Sequence, residues 1–280
     1  MTRHLAATPL VGPVGPPELH VMTYNIRRPI PSMRRRSPDR WETRRPHLGA
    51  LLEAERPSIL GVQEAMPATT GFVRHALGEH YRSVGYGRSA DRRGEGCPLF
   101  YDTARLELLE WRQQALSATP DVAGSTGWGN RVPRVLVAAQ FRDRATSARF
   151  LAVNTHFDHL SRHARVRSAE AVHALVAASG LPAVVTGDLN SGEATTPLRA
   201  LLSGGLLRDA YAVAESRLTP EWGSFPNYGD PRLGRKRIDW VATTADVEVV
   251  RAGINPQRYG GGWGSDHLPV QVVLRMPAAS

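Results

Sequence analysis

The chain has 280 residues, of which 41% are hydrophobic, and a formal net charge of +9. That apolar fraction is enough for a sizeable core, a lone cysteine (Cys97) excludes an internal disulfide, and no run approaches the ~18 continuous apolar residues of a membrane helix. The positive balance favours anionic partners, but arginine carries nearly all of it and Lys236 is the only lysine, so it does not select a nucleic acid.

Residues 1–18 hold Pro9, Pro13, Pro16, Pro17, Gly12 and Gly15, fit neither helix nor strand, and read as a flexible tail. The same residues interrupt any apolar core of a secretory leader, so a cytoplasmic protein is expected. One domain is expected to span 19–280. Leu19 to Asn25 reads as the first strand, followed by a basic loop, Arg27 to Arg36, which either faces water or gathers anions at a cleft mouth. Leu48, Leu51 and Leu52 give a helical stripe within Trp41 to Ala54, and Pro57 ends it. Ser58 to Gln63 is a second buried strand closing on Glu64, and Thr70 to Leu77 a short helix. Strands are expected at Tyr81 to Tyr86, Cys97 to Tyr101 and Leu106 to Trp111, with the charged, glycine-rich loop Arg88 to Gly96 between the first two.

Val132 to Phe141 and Arg149 to Thr155 read as a strand pair, and the second ends at His156. Ser161 to Ala178 is the clearest helix, with Ser161 a plausible N-cap, Gly180 a terminator, and Ala169, Val172, Leu175 and Val176 its apolar stripe. A β-branched run from Ala183 then delivers Asp188 and Asn190 past Gly187. If the backbone stays extended there, the period of two sets both side chains on one face; an Asx turn is the other reading. Pro197 to Leu202 is a short helix, Gly223 to Arg237 a loop, and Ile238 to Ala242, Val247 to Ala252 and Leu268 to Leu274 the last strands. Strands both in pairs and separated by helices predict one layered α/β or α+β domain.

Several of these strands end in a residue able to bind metal or phosphate: Asn25, Glu64, His156, and Asp188 with Asn190. Asp266 and His267 stand just before another, and Asp239 takes a place in Ile238-Asp239-Trp240 where an apolar residue is expected. Each alone could be a cap or an exposed side chain. Together they suit metal-assisted hydrolysis of a phosphoester. Glu64, Asn25 and Asp266 offer the oxygen ligands of a hard ion such as Mg²⁺. Asp188 could deprotonate the attacking water, and Asn190 could hold that water or a phosphate oxygen. His156 and His267 could donate to the phosphate as charge builds, with Asp239 orienting His267. A zinc site on His156, His159 and His163 lacks the accompanying carboxylate pattern.

The blocks Met22-Thr23-Tyr24-Asn25-Ile26, Gly61-Val62-Gln63-Glu64-Ala65, Val153-Asn154-Thr155-His156-Phe157, Thr186-Gly187-Asp188-Leu189-Asn190, Ile238-Asp239-Trp240 and Ser265-Asp266-His267 resemble, in order, those of the endonuclease/exonuclease/phosphatase superfamily. The resemblance implies a four-layer α/β/β/α sandwich, two mixed β-sheets packed face to face with helices outside, and dependence on Mg²⁺ or Mn²⁺. It implies Asn25, Glu64 and Asp266 as metal ligands, Asp188 and Asn190 as the water-activating pair, His156 and His267 on the phosphate, and Asp239 as partner of His267. The stretches Gly94 to Tyr101 and Leu116 to Pro120 resemble a bacterial metal-dependent hydrolase branch. There Arg134 and Arg165 fall at arginine positions and could clamp phosphate, and Glu95 could be a site carboxylate.

A metal-dependent phosphoesterase acting on a phosphomonoester or phosphodiester is therefore the expected function, with an anionic phosphoester as partner, no membrane, and a monomer by default. A Mg-dependent DNA or RNA nuclease is the alternative. It is disfavoured because no basic helix stands out and only 7% of residues are aromatic, leaving few to stack on bases. A catalytically silent binding protein on the same fold would be expected to lack a central residue, and none is missing.

Overall fold

The computed structural model describes residues 8–30 and 37–278. In chain order the first half lays down β1 (Glu18–Asn25), α1 (Trp41–Glu55), β2 (Ile59–Gln63), α2 (Pro67–Leu77), β3 (Tyr81–Val84), β4 (Leu99–Asp102), β5 (Leu106–Ala115) and β6 (Val135–Asp143). The second half adds β7 (Arg149–His156), α3 (Arg162–Ser179), β8 (Ala183–Asp188), α4 (Thr196–Leu201), β9 (Leu207–Asp209), α5 (Ala210–Val213), β10 (Ser216–Arg217), β11 (Asp239–Thr244), β12 (Glu248–Ile254) and β13 (Val270–Arg275). β9, α5, β10 and a 3-10 turn at Ser203–Gly205 were not foreseen; at two to four residues they are too short to show a period.

The strands make two sheets, ordered β10-β12-β13-β1-β2-β4-β3 and β5-β6-β7-β8-β11-β9. Both are mixed: β1 runs parallel to β2 and antiparallel to β13, and β8 parallel to β7 and antiparallel to β11. Strand alternation sorts the side chains into layers. Leu19 and Val21 of β1, Ala152 of β7, Val184 of β8 and Val272 of β13 face inward and form the core between the sheets. Met22 and Tyr24 of β1 face outward onto Leu48, Leu51 and Val73 of α1 and α2. Val153 and Val185 face outward onto Val172 and Val176 of α3. The result is the expected α/β/β/α sandwich. Among the described residues no helix is long and apolar enough to cross a membrane.

Near one end of the strands the inter-sheet layer turns polar. Asn154 of β7 donates across it to the carbonyls of Val62, Cys97 and Pro98, and accepts from Gln63 Nε2 at 2.7 Å and Thr186 Oγ1 at 3.1 Å. The sheets approach so closely there that a Cβ at Gly61 would lie 2.2 Å from Thr186 Oγ1.

Part of the segment read as a flexible tail is tied to the domain. The N–H groups of Leu10, Val11 and Gly12 donate to the buried Glu55 carboxylate, and His20 Nδ1–H donates to Gly12 O. Prolines and glycines there exclude regular structure but leave the N–H groups able to answer a buried acid. Residues 1–7 lie outside the described residues.

Candidate active site

Sheet register assembles the site. His156, the last residue of β7, pairs with Asp188, the last of β8, and Asp188 pairs on its other side with Asp239, the first of β11. In the facing sheet Asn25 ends β1 beside Gln63, so that Glu64 follows at the same edge. The sheets then bring the two edges together: Asn25 Nδ2 donates to Glu64 Oε1 at 3.1 Å and to Asp188 Oδ2 at 3.0 Å. Ser265 Oγ donates to the carbonyl of Asn25, which draws Asp266 and His267 to the same edge.

Asp188 Oδ2 lies 3.6 Å from His156 Nε2 and 3.8 Å from His267 Nε2. Burial, together with the charge of Asp239, pushes its carboxyl up to about 7, against the opposing pull of His267 and the Asn190 and Asn25 N–H groups. Burial disfavours a charged His267, but Asp239, Asp188 and Asp266 outweigh it and push the imidazole up to about 10. His267 Nδ1–H donates to Asp239 Oδ2 at 2.8 Å. His156 is held well below its ordinary value by burial and by the charges of Arg134 and Arg88. The buried Cys97 thiol is pushed up to about 12 by desolvation and is no nucleophile.

Extended geometry past Asp188 does not hold. Asn190 has φ 47°, its N–H donates to Asp188 Oδ1 at 2.9 Å, and its Nδ2 donates to Phe157 O. The chain makes an Asx turn because the carboxylate can accept the N–H two residues on. Turn and site are one structure, since both residues still line the cleft. Glu64 too has a positive φ, 59°, and Arg27 has 53°. Such backbone in non-glycine residues is uncommon and gathers at functional sites.

The cleft holds about 520 Å³. Glu64, Glu95, Arg134, His156, Asp188, Asn190, Asp266 and His267 all line it, whereas Asn25 and Asp239 stand behind it, bonded to Asp188 and His267. Arg165 does not line it; on the first turn of α3 it donates to the carbonyl of Asp158. Arginine codes for a surface ion pair, a helix anchor or a phosphate clamp alike, so sequence position alone does not separate them. Of the basic loop, Arg27 and Arg28 line the cleft and residues 31–36 lie outside the described residues. Sequence reasoning missed Ser224, whose Oγ donates to Asp239 Oδ2 at 2.7 Å and accepts from the N–H groups of Ile238 and Asp239. It also missed Arg88 and Phe225, which line the cleft from loops. Nothing in a loop serine marks it as a partner of a strand fifteen residues on.

Among the described residues two groups could hold a metal ion. Asp188, Asp239 and His267 have ligand atoms within 4.8 Å of one another, although His267 Nδ1 and Asp239 Oδ2 are already bonded to each other. Glu64 and Asp266 form the other. The Arg27 guanidinium stands between them, 4.0 Å from Glu64 Oε2 and 3.5 Å from Asp266 Oδ2, and so marks where a cation is stabilised. The two carboxylates suit a hard divalent ion, whereas Asn25 turns its amide N–H toward Glu64 and its Oδ1 accepts from Arg27 N–H, so its amide would have to turn over to join them.

A profile of the Endonuclease/Exonuclease/phosphatase family matches residues 22–267. A crystal structure of a protein of that family from Bacteroides thetaiotaomicron is 31% identical, covers 94% of this chain and 100% of its own, and superposes with a TM-score of 0.86. The mannosyl-6-phosphatase of Bacteroides thetaiotaomicron VPI-5482 is 30% identical over 91% of this chain and 99% of its own, with a TM-score of 0.83. An uncharacterized protein of Acanthamoeba polyphaga mimivirus is 28% identical over 130 residues; the match takes in 42% of this chain and spans about half, 47%, of that relative's length.

Proposed function

The chain belongs to the endonuclease/exonuclease/phosphatase family, and from that premise we propose that it is a divalent-metal-dependent phosphoesterase in which Asp188 activates water against a phosphomonoester or phosphodiester. The observation that carries this reading is the setting of Asp188. Its carboxylate is buried, pushed up to about 7, held by Asn25, and flanked by His156 and His267, whose Nε2 atoms lie 3.6 and 3.8 Å away. A base poised near neutral pH combines a useful ionised fraction with a strong drive to take a proton.

Glu64 and Asp266, with Asn25 once its amide turns, would hold Mg²⁺ or Mn²⁺, which would supply positive charge against the negative charge that builds during phosphoester hydrolysis. Asp188 takes a proton from the attacking water. The Asn190 N–H fixes the carboxylate so that it does not reorganise during attack. The Asn190 carboxamide oxygen, its Nδ2 spent on Phe157, holds the water. His267, kept charged by Asp239, donates Nε2–H to a phosphate oxygen as negative charge develops there. His156 donates to the phosphate as well. Ser224 and Asp239 act through His267 and are positioning residues.

The test is hydrolysis of p-nitrophenyl phosphate and bis-p-nitrophenyl phosphate with Mg²⁺ or Mn²⁺, with and without EDTA. Metal-dependent turnover that is lost in Asp188→Asn and His267→Ala supports the reading. Turnover by the variants equal to that of the parent chain, or none by the parent on any phosphoester, overturns it.

A further inference from the structure

Arginines line the same cleft. Arg134, just before β6, is 5% exposed, and its Nε and Nη1 have no hydrogen-bond partner among the described residues. Its Nη2 faces His159 Nδ1 at 3.0 Å. Its carboxylate neighbour is Asp158, whose Oδ2 stands 3.6 Å from Nε, an ion pair just beyond hydrogen-bond reach, while Oδ1 accepts from the N–H groups of Leu160 and Ser161. Arg88 and Arg28 share a single carboxylate, Glu95, at 3.0 and 2.6 Å. Burial, and the like charges of Arg134 and Arg28, weigh against the charge on Arg88 despite Glu95. Among the described residues, three guanidinium groups thus face two carboxylates.

A buried guanidinium with unanswered N–H groups costs free energy, and such groups call for an acceptor. The planar fork of arginine matches the paired oxygens of a phosphate or carboxylate. The scissile phosphate is already met by His156, His267 and the metal-side residues. The cleft volume of about 520 Å³ fits a small organic molecule, and Val132, Ile238 and the half-exposed Phe225 ring give its body an apolar wall. We propose that Arg134 and Arg88 form a second anion subsite beside the hydrolytic centre, so that the substrate is a small phosphoester bearing a second phosphate or carboxylate. This rests on the phosphoesterase reading and narrows it.

The experiment compares kcat/KM for two matched pairs with added Mg²⁺ or Mn²⁺: fructose 6-phosphate against fructose 1,6-bisphosphate, and glycerol 3-phosphate against 3-phosphoglycerate. The first pair reports a second phosphate, the second a carboxylate. At least a tenfold preference for the doubly anionic member of one pair is expected, shrinking to threefold or less in Arg134→Met and in Arg88→Met. Arg88 is the less buried of the two, so its variant decides the matter if Arg134→Met fails to fold. Three results overturn the inference while leaving a phosphoesterase in place: no preference in either pair, equal losses toward both members of a pair (which would put these arginines on the scissile phosphate), or cleavage of a single-stranded oligonucleotide in preference to all four esters. No metal-dependent turnover of any phosphoester would remove the phosphoesterase reading and this inference with it.

Discussion

Asp188 carries two conflicting demands. Its carboxyl is raised, so the folded protein binds its proton more tightly than the unfolded chain does. Stability from this group is therefore lost as pH rises from the ordinary carboxylate range through about 7, and at neutral pH the buried charge weighs against the fold. Replacing it with an isosteric amide removes that burden together with the proposed base. The metal-free Asp188→Asn protein is expected to melt no lower than the parent, while its kcat falls by roughly 10²–10⁴, the usual worth of a positioned general base. Calorimetry and turnover on one preparation check both. Asp239 is fully buried with its Oδ2 shared by His267 and Ser224. Asp239→Asn is expected to leave His267 without its charge partner and to lower kcat by about 10²–10⁴, with a shifted imidazole titration by NMR as the sign that it acts through the ring.

At the scale of elements, the strand ends matter because the sheets meet tightly behind them. A Cβ at Gly61 would lie 2.2 Å from Thr186 Oγ1 and 2.6 Å from Asn154 Oδ1. Gly61→Ala must push β2 from the facing sheet and disturb the polar seam below Asn25 and Asp188. A loss of about 1–3 kcal/mol is expected from such overpacking, read from denaturant unfolding. The helix behind the other sheet has a separable device. Ser161 Oγ accepts from Ala164 N–H at 3.1 Å at the start of α3. Ser161→Ala is expected to cost about 1 kcal/mol, with turnover retained. Both the N-cap and Gly180, at φ 62°, were legible in the sequence, since capping chemistry lies within a few residues of the helix end. The seam was not, because Asn154 and Gln63 are 91 positions apart.

At the scale of the whole molecule, the chain ends are locked through one buried polar cluster. Glu55 accepts from Leu10, Val11 and Gly12, from Asn255 Nδ2 and from Tyr259 OH, and Gln271 Nε2 donates to His20 Nε2. Burial, opposed by Glu55, lowers His20 to about 4. Between pH 6.5 and about 4 the unfolded chain binds a proton there that the folded chain does not. Stability from this group is therefore present above pH 6.5 and is lost as pH falls to 4, by on the order of 3 kcal/mol. His20→Gln is expected to flatten the melting temperature over that window, and the cost of the substitution shows as an offset at pH 7. A melting profile that keeps its slope in the variant would assign the acid sensitivity elsewhere.

By itself the sequence determined where the chain is strand or helix and which strands end in a polar residue. Those features are local: side chains alternate along a strand, repeat along a helix, and give way to glycine or proline at its end. It also carried enough ordered motifs for the resemblance to anticipate the sandwich. Only the tertiary structure decided which strand ends meet. Asn25 touches Asp188 across 163 positions and Ser265 across 240, through register and sheet packing that no local pattern encodes. It chose the Asx turn over the extended reading at Asp188–Asn190, a local bond that the sequence had already offered. It also placed Arg134 in the cleft and Arg165 outside it, and supplied Ser224, outcomes that depend on which acceptor or donor another element brings within reach.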